Sequence, residues 1–291
     1  MMDGLTSRLR AIASYVAERM TAGLPIATGD IGDDVLVVVD GVGGFQFAVL
    51  AVRRALRMCG SSLATVMFKW QLGPPGQIFT DLMWLRRNRL IGCRFARRLR
   101  GLRRAHPHAR IHVLAVSGGA GIAVFACERL AGRRVVETLV LACPALSPRY
   151  NLGPALRAVR RAYALVSERD RVILGLGTRI LGTTDRRFVA AAGQVGFHTP
   201  DDASPADRRA YDRLGQVRWS PALRAIGCYG GHPGFLAVGF LRVHLLPLLA
   251  GTPGLQVHTG AIDDSAATTP APVALHGPGD DPSGGCTGER A

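Results

Sequence analysis

The sequence predicts an α/β fold, with a mostly parallel central sheet and helices on both faces. Three observations predict it. Apolar runs of strand length alternate with helix-length segments along the chain. The runs are apolar throughout rather than at every second residue, as in strands buried on both faces of a parallel sheet. Several runs end in glycine-rich or polar loops, and ligands of open α/β sheets bind beyond the carboxyl ends of the strands.

The elements follow in order. Val35 to Val39 is a mostly β-branched run that ends in Asp40-Gly41-Val42-Gly43-Gly44, a strand leading into a glycine loop. Phe45 to Met58 reads as a helix and Leu63 to Phe68 as the next strand. Gly73-Pro74-Pro75-Gly76 breaks the chain before a long, arginine-rich amphipathic helix, Thr80 to Arg104. Ile111 to Val116 is a strand, Gly119 to Leu130 a helix and Val135 to Ala142 a strand. A loop from Pro144 to Asn151 and a short helix from Gly153 to Arg161 lead to a strand, Ala162 to Val166. Leu223 to Ile226 reads as the last strand and Gly234 to Leu249 as the last helix.

With 291 residues, 48% of them hydrophobic, the chain can bury one large core. Residues 31–250 form the expected domain. Residues 1–30 precede it as an amphipathic helical segment, with Leu5, Leu9, Ile12, Val16 and Met20 at helical spacing. Residues 251–291 are rich in Pro, Gly, Thr and Asp without periodicity and read as a disordered tail.

The net charge is +15, yet Lys69 is the only lysine. An arginine excess this lopsided, beside abundant Ala, Gly and Pro, reads as coding bias displayed on a solvated surface. Specific nucleic-acid binding is not expected, and weak contact with an anionic membrane is a secondary reading. The nine arginines of the long helix, from Arg86 to Arg104, read as a solvated face. Six scattered cysteines show no metal-ligand spacing, so neither a metal nor a cofactor is expected. Arg8, Arg10 and Glu18 interrupt any secretory apolar core. Arg242, His244 and Pro247 interrupt the longest apolar stretch. A cytoplasmic protein is the expectation.

The chemistry centres on Ala115-Val116-Ser117-Gly118-Gly119-Ala120. A serine between strand and helix, with small residues two before and two after it, is how a nucleophilic hydroxyl is displayed. The turn is so tight that Ala115 and Gly119 must be small. Gly118, Gly119 and Gly121 each cost a helix about 1 kcal/mol against alanine, so close backbone approach is their reason. The rival reading makes Ser117 a helix cap. Two further polar landmarks stand just past strand ends: Asp170, in Ser167-Glu168-Arg169-Asp170, and His232, in Gly230-Gly231-His232-Pro233-Gly234. Glu168 and Asp185 are substitute acids, and His198, His244 and His258 substitute bases.

In the order Ser, Asp, His, from Val35 to Leu249, the chain resembles the α/β-hydrolase superfamily. Ala115 stands where the elbow usually has glycine. The resemblance implies Ser117 as nucleophile, His232 as general base and acid, and Asp170 as the acid that orients it. It implies an oxyanion hole from the Gly118 N–H and from the 40–44 loop, with Val42 first and Gly41 next. Asp40 takes the place of the usual histidine, where an ionised, unshielded carboxylate would oppose an oxyanion. The short Pro144–Pro154 segment implies a minimal cap. Apolar residues of the 174–197 stretch, Leu176, Ile180, Leu181, Phe188 and Phe197, are candidate substrate walls. The implied activity is hydrolysis of a small ester or related acyl compound. Acyl transfer, thioester or peptide cleavage, or an inert binding protein of the same fold remain alternatives.

Overall fold

The computed structural model describes residues 26–71, 78–130, 132–252 and 258–259. The strands are β1 (Ala27–Thr28), β2 (Asp34–Val39), β3 (Ala64–Met67), β4 (Arg110–Val116), β5 (Val136–Ala142), β6 (Val159–Val166), β7 (Leu214–Arg218) and β8 (His258–Thr259). They form one sheet in the order β1-β3-β2-β4-β5-β6-β7-β8. From β2 to β7 all pairings are parallel. The two-residue strands β1 and β8 pair antiparallel at the edges, too short to recruit a foreign strand.

Burial on both faces explains the continuous apolar runs. Val35, Val37 and Val39 of β2 join a core with two helices, α3 (Leu85–Ala105) and α4 (Gly118–Glu128). Leu36 and Val38 face the opposite way, onto α1 (Phe47–Met58) and the last helical stretch, which includes Phe240, Leu241 and Leu245. This is the expected fold class, the sheet and helix layering of the α/β-hydrolase fold. Between β5 and β6 the only helix is Gly153–Leu156, so that connection carries the minimal cap expected of it. No described helix is long and apolar enough to cross a membrane.

Several boundaries differ from expectation. The long arginine helix is two: a short helix, α2 (Ile78–Met83), and α3, separated at Trp84, whose φ of −99° and ψ of 74° are not helical. β6 starts at Val159 because Arg160 and Arg161 point out to pair with Glu137 on β5, which disguised the strand start as helix. Leu223–Ile226 is not a strand but part of a 3-10 turn, Pro221–Ile226. The strand is Leu214–Arg218, hidden in the sequence by buried Gln216. The Gln216 amide takes the place of an apolar side chain by bonding both the N–H and the C=O of Phe197, at 2.8 and 2.9 Å. Within the stretch expected to be a disordered tail, His258–Thr259 pair with β7. The rest of the tail beyond 252, and the helical segment expected over Leu5–Met20, lie outside the described residues.

The junction of β4 and α4 leaves no room for a side chain at Gly119. A Cβ built on Gly119 would stand 2.3 Å from the Asp40 carbonyl oxygen and 2.8 Å from that of Val39. Those oxygens are backbone and cannot swing aside. Gly101 of α3, by contrast, has nothing within 4 Å of its Cβ position. Gly119→Ala is therefore expected to destabilise the protein by about 1–3 kcal/mol through overpacking. Gly101→Ala is expected to stabilise it by about 0.5–1 kcal/mol through helix propensity. Urea unfolding of both variants checks this; equal effects of the two would refute the steric account.

Candidate active site

Parallel strands deliver their successors to one edge, so Asp40 after β2, Ser117 after β4 and Asp170 after β6 meet at the same end of the sheet. Ser117 holds φ 53° and ψ −124°, a conformation side chains rarely adopt. Such a residue stores about 1–3 kcal/mol, tolerated only where neighbours over-determine it. They do so here. Its N–H donates to the Ala142 carbonyl at 2.9 Å, and its own carbonyl accepts from Ala120 and Ala145, both at 3.1 Å. The hydroxyl makes no capping bond to α4, which removes the helix-cap reading. It lines a cavity of about 410 Å³ together with Gly41, Val42 and His232.

His232 and Asp170 are joined. Asp170 is 3% exposed, and its Oδ2 lies 2.5 Å from His232 Nδ1. Its other oxygen accepts from the Leu174 N–H at 3.3 Å, which fixes the carboxylate plane. With Nδ1 engaged, Nε2 is the ring nitrogen left for chemistry. The loop that carries His232 is tied to the end of β6 by Ser167, whose hydroxyl donates to the Gly230 carbonyl. Ser117 and His232 share the cavity wall without a hydrogen bond between them. The substitute acids stand elsewhere: Glu168 pairs with Arg218, and Asp185 accepts from Ser147 and Thr183. The substitute bases His198 and His244 do not line this cavity, and the backbone of His258 pairs in β8.

One sulfur lies close to this pair. Cys143 Sγ, a carboxylate oxygen of Asp170 and a ring nitrogen of His232 all lie within 4.8 Å of one another. The trio has metal-ligand types, and burial raises the Cys143 thiol pKa well above its ordinary value. His232 and Asp170 meanwhile bond each other. The arrangement is a hydrogen-bonded His232–Asp170 pair beside a buried thiol.

The 40–44 loop packs directly on the elbow. A Cβ on Gly41 would lie 3.4 Å from Ser117 Cβ, and one on Gly118 would lie 2.6 Å from Val42 Cγ1. Gly41 donates its N–H to Asp40 Oδ1 at 3.1 Å. Of the two loop amides expected to face an oxyanion, that of Gly41 is therefore already engaged. The Asp40 carboxylate is turned to another task. It accepts from Ala48, at 3.0 Å to its nearer oxygen, and from Val49 at 3.4 Å, and so caps α1 from eight residues upstream. The expected threat to an oxyanion is thereby met with donors. Burial raises the Asp40 pKa, opposed by these backbone bonds.

Sequence reasoning missed what holds this loop. Asp81, fully buried, accepts from the Gly43 N–H at 3.0 Å. Asn88 donates to the Asp81 carbonyl at 2.7 Å, and Arg87 reaches the Trp70 carbonyl at 2.6 Å. Trp70 Nε1 donates to the Asp40 carbonyl at 2.7 Å, and Gln71 to that of Gly41 at 2.6 Å. Arg87 thus leaves the solvated face expected of its helix. The only available signal was an asparagine and an aspartate on the apolar side of an amphipathic stretch. The substrate walls also differ. Leu181 lines the cavity together with Val172, Ile173, Leu174, Phe45, Phe47 and Leu82. Leu176, Ile180 and Phe188 are exposed, and Phe197 is buried in the core.

No protein-family model and no curated protein matches the sequence. Solved structures do match. The Pyrococcus furiosus esterase Pf2001 is 10% identical, over 76% of this chain and 80% of that one, with a TM-score of 0.41. The Bacillus licheniformis lipase BlEst2 in its propeptide form is 12% identical, over 84% of this chain and 55% of that one, with a TM-score of 0.43. A lipase-esterase related protein from Clostridium acetobutylicum is 10% identical, over 78% of this chain and 96% of that one, with a TM-score of 0.38.

The raised Asp40 pKa has a consequence for stability. The native state binds that proton more tightly than the unfolded chain, whose value is near 3.8. The contribution is fully present below that pH and is lost as pH rises through the folded pKa. Asp40→Asn keeps a side-chain acceptor for α1 but cannot ionise. Wild type is expected to lose stability relative to Asp40→Asn as pH rises from about 3.5 towards neutrality, measured by urea unfolding across that range. A gap that stays constant, or a gain of wild type relative to Asp40→Asn as pH rises, would refute this account.

Proposed function

We propose that the protein is a serine hydrolase that cleaves an ester or related acyl substrate through an acyl-enzyme. The observation that carries this reading is one cavity lined both by a strained, uncapped serine and by a histidine whose Nδ1 is held by a buried carboxylate. Ser117 Oγ attacks the acyl carbon as His232 Nε2 takes its proton. The leaving group departs with that proton, and water then attacks the acyl-enzyme with His232 as base. Asp170 fixes the tautomer and stabilises the imidazolium. The amides of Gly118 and Val42 receive the oxyanion, the former at the positive end of α4. The apolar walls suit an acyl chain rather than a charged one.

A fluorophosphonate probe is expected to label wild type and not Ser117→Ala. Labelling that persists in the variant would unseat Ser117. Absence of labelling in folded wild type would favour a binding protein. Asp170→Asn is expected to lower the rate on a short-chain p-nitrophenyl ester by about 10⁴-fold, with KM little changed, because the wrong imidazole tautomer is left facing the serine. A loss of under about tenfold would remove Asp170 from the role.

The loop anchor is tested separately. Asp81→Ala frees the Gly43 N–H and loosens the Val42 amide beside it. Loss of one oxyanion donor is expected to reduce kcat by about 10²–10³-fold. The check is kcat against KM for the same ester in a variant whose melting curve shows it folded. A change in KM alone would show that Asp81 shapes the cavity without placing the donor.

A further inference from the structure

A second cavity, of about 690 Å³, opens between α3 and the segment after β3. Its base is apolar, formed by Phe68, Trp70 and Ile91, and its walls carry four cations: Lys69, Arg87, Arg94 and Arg97. None of the described residues lining it is acidic. Arg87 is committed to Asp81 and to the Trp70 carbonyl. Lys69, Arg94 and Arg97 make no hydrogen bond or ion pair with any described residue. At its rim Trp84 is 56% and Leu90 67% exposed.

A solvated helix face does not require this arrangement. Arg87, Arg94 and Arg97 lie on one stripe of α3 and converge with the chain's only lysine, which comes from another element. Like charges gathered in a concave, low-dielectric cleft repel one another and concentrate anions. Burial lowers the Arg87 pKa, and repulsion from Arg94 adds to it against the attraction of Asp81. An anion among these side chains would relieve the repulsion through charge-assisted hydrogen bonds. A flat apolar body would cover the exposed Trp84 ring and Leu90.

We propose that this cleft is a binding site for a small soluble amphiphilic anion. A phosphate or carboxylate head sits among Lys69, Arg94 and Arg97, and an apolar or aromatic body lies on Trp84 and Leu90. The site is separate from the Ser117 cavity and does not depend on hydrolysis there. The two are nonetheless neighbours. Trp70 and Gln71 line the cleft, and the same two side chains hold the Asp40 and Gly41 carbonyls of the loop beside Ser117.

The test is calorimetric titration of the full chain with 1-naphthyl phosphate, 1-naphthol and inorganic phosphate. The naphthyl phosphate is expected to bind about tenfold or more tightly than either half alone, and more weakly as salt rises. Arg94→Gln/Arg97→Gln is expected to lose at least about tenfold, Arg94→Lys/Arg97→Lys to keep part of the affinity, and Ser117→Ala to keep all of it. Three results would each overturn the proposal. One is equal affinity for naphthol and its phosphate. The second is unchanged affinity in a folded double glutamine variant. The third is binding that depends on Arg94 and Arg97 only with phosphatidylglycerol vesicles, which would make the face a lipid-surface contact.

Discussion

Gly119 occupies a position where even one carbon more would strike the backbone of β2. Its Cβ site lies 2.3 Å from the Asp40 carbonyl oxygen. That contact brings the first turn of α4 against the end of a neighbouring strand, and the rest of the site follows. The chain must leave β4 and enter α4 within one residue, so Ser117 is driven to φ 53° and its hydroxyl stands clear of the helix it precedes. The Asp40 carbonyl also accepts from the Trp70 indole, while the Asp40 side chain caps α1. One residue at the end of β2 therefore joins both helical layers and the exit of β3.

Around this point the structure buries charge without leaving it unsatisfied. An unpaired carboxylate inside a protein is costly, and one whose lone pairs meet several donors is tolerable. Asp40 meets backbone amides, and Asp81 meets the Gly43 N–H together with Arg87. These groups hold a loop that has only glycines and one valine between residues 41 and 44, and which has little side-chain packing to hold itself. Rigid donors beside a serine are what an oxyanion-forming reaction needs, because dipoles already in place do not have to reorganise as charge develops. The Asp170–His232 pair is secured by the same logic, with Leu174 on the carboxylate and Ser167 on the loop behind the imidazole.

The two cavities have no described lining residue in common and differ in character. The one at Ser117 is mostly apolar, with Asp40, Ser117, Thr178 and His232 as its polar lining, and the one at α3 is cationic. Trp70 and Gln71 touch both regions through their bonds to the loop. A net charge of +15 that read as general surface bias thus has a local component, concentrated where three arginines and Lys69 converge.

Much of this was legible before any coordinates. Apolar runs buried on both faces predict a parallel sheet, and small residues around Ser117 predict a sharp junction, because both are local consequences of sterics and periodicity. The positions of Asp170 and His232 after strand-like and turn-like segments were also visible. Other features depended on partners distant in sequence. β7 was hidden because the buried Gln216 amide is satisfied by the backbone of Phe197, 19 residues away. Asp40 reads as a hazard until Ala48 and Val49 are seen to donate to it, and Arg87 reads as solvated until Asp81 and Trp70 are folded against it. The sequence by itself determined the elements and the residue types able to do chemistry, since propensity and spacing act within a few residues. Tertiary structure alone decided which polar groups are satisfied and which are left to meet a ligand, since a hydrogen bond is settled by proximity across the fold.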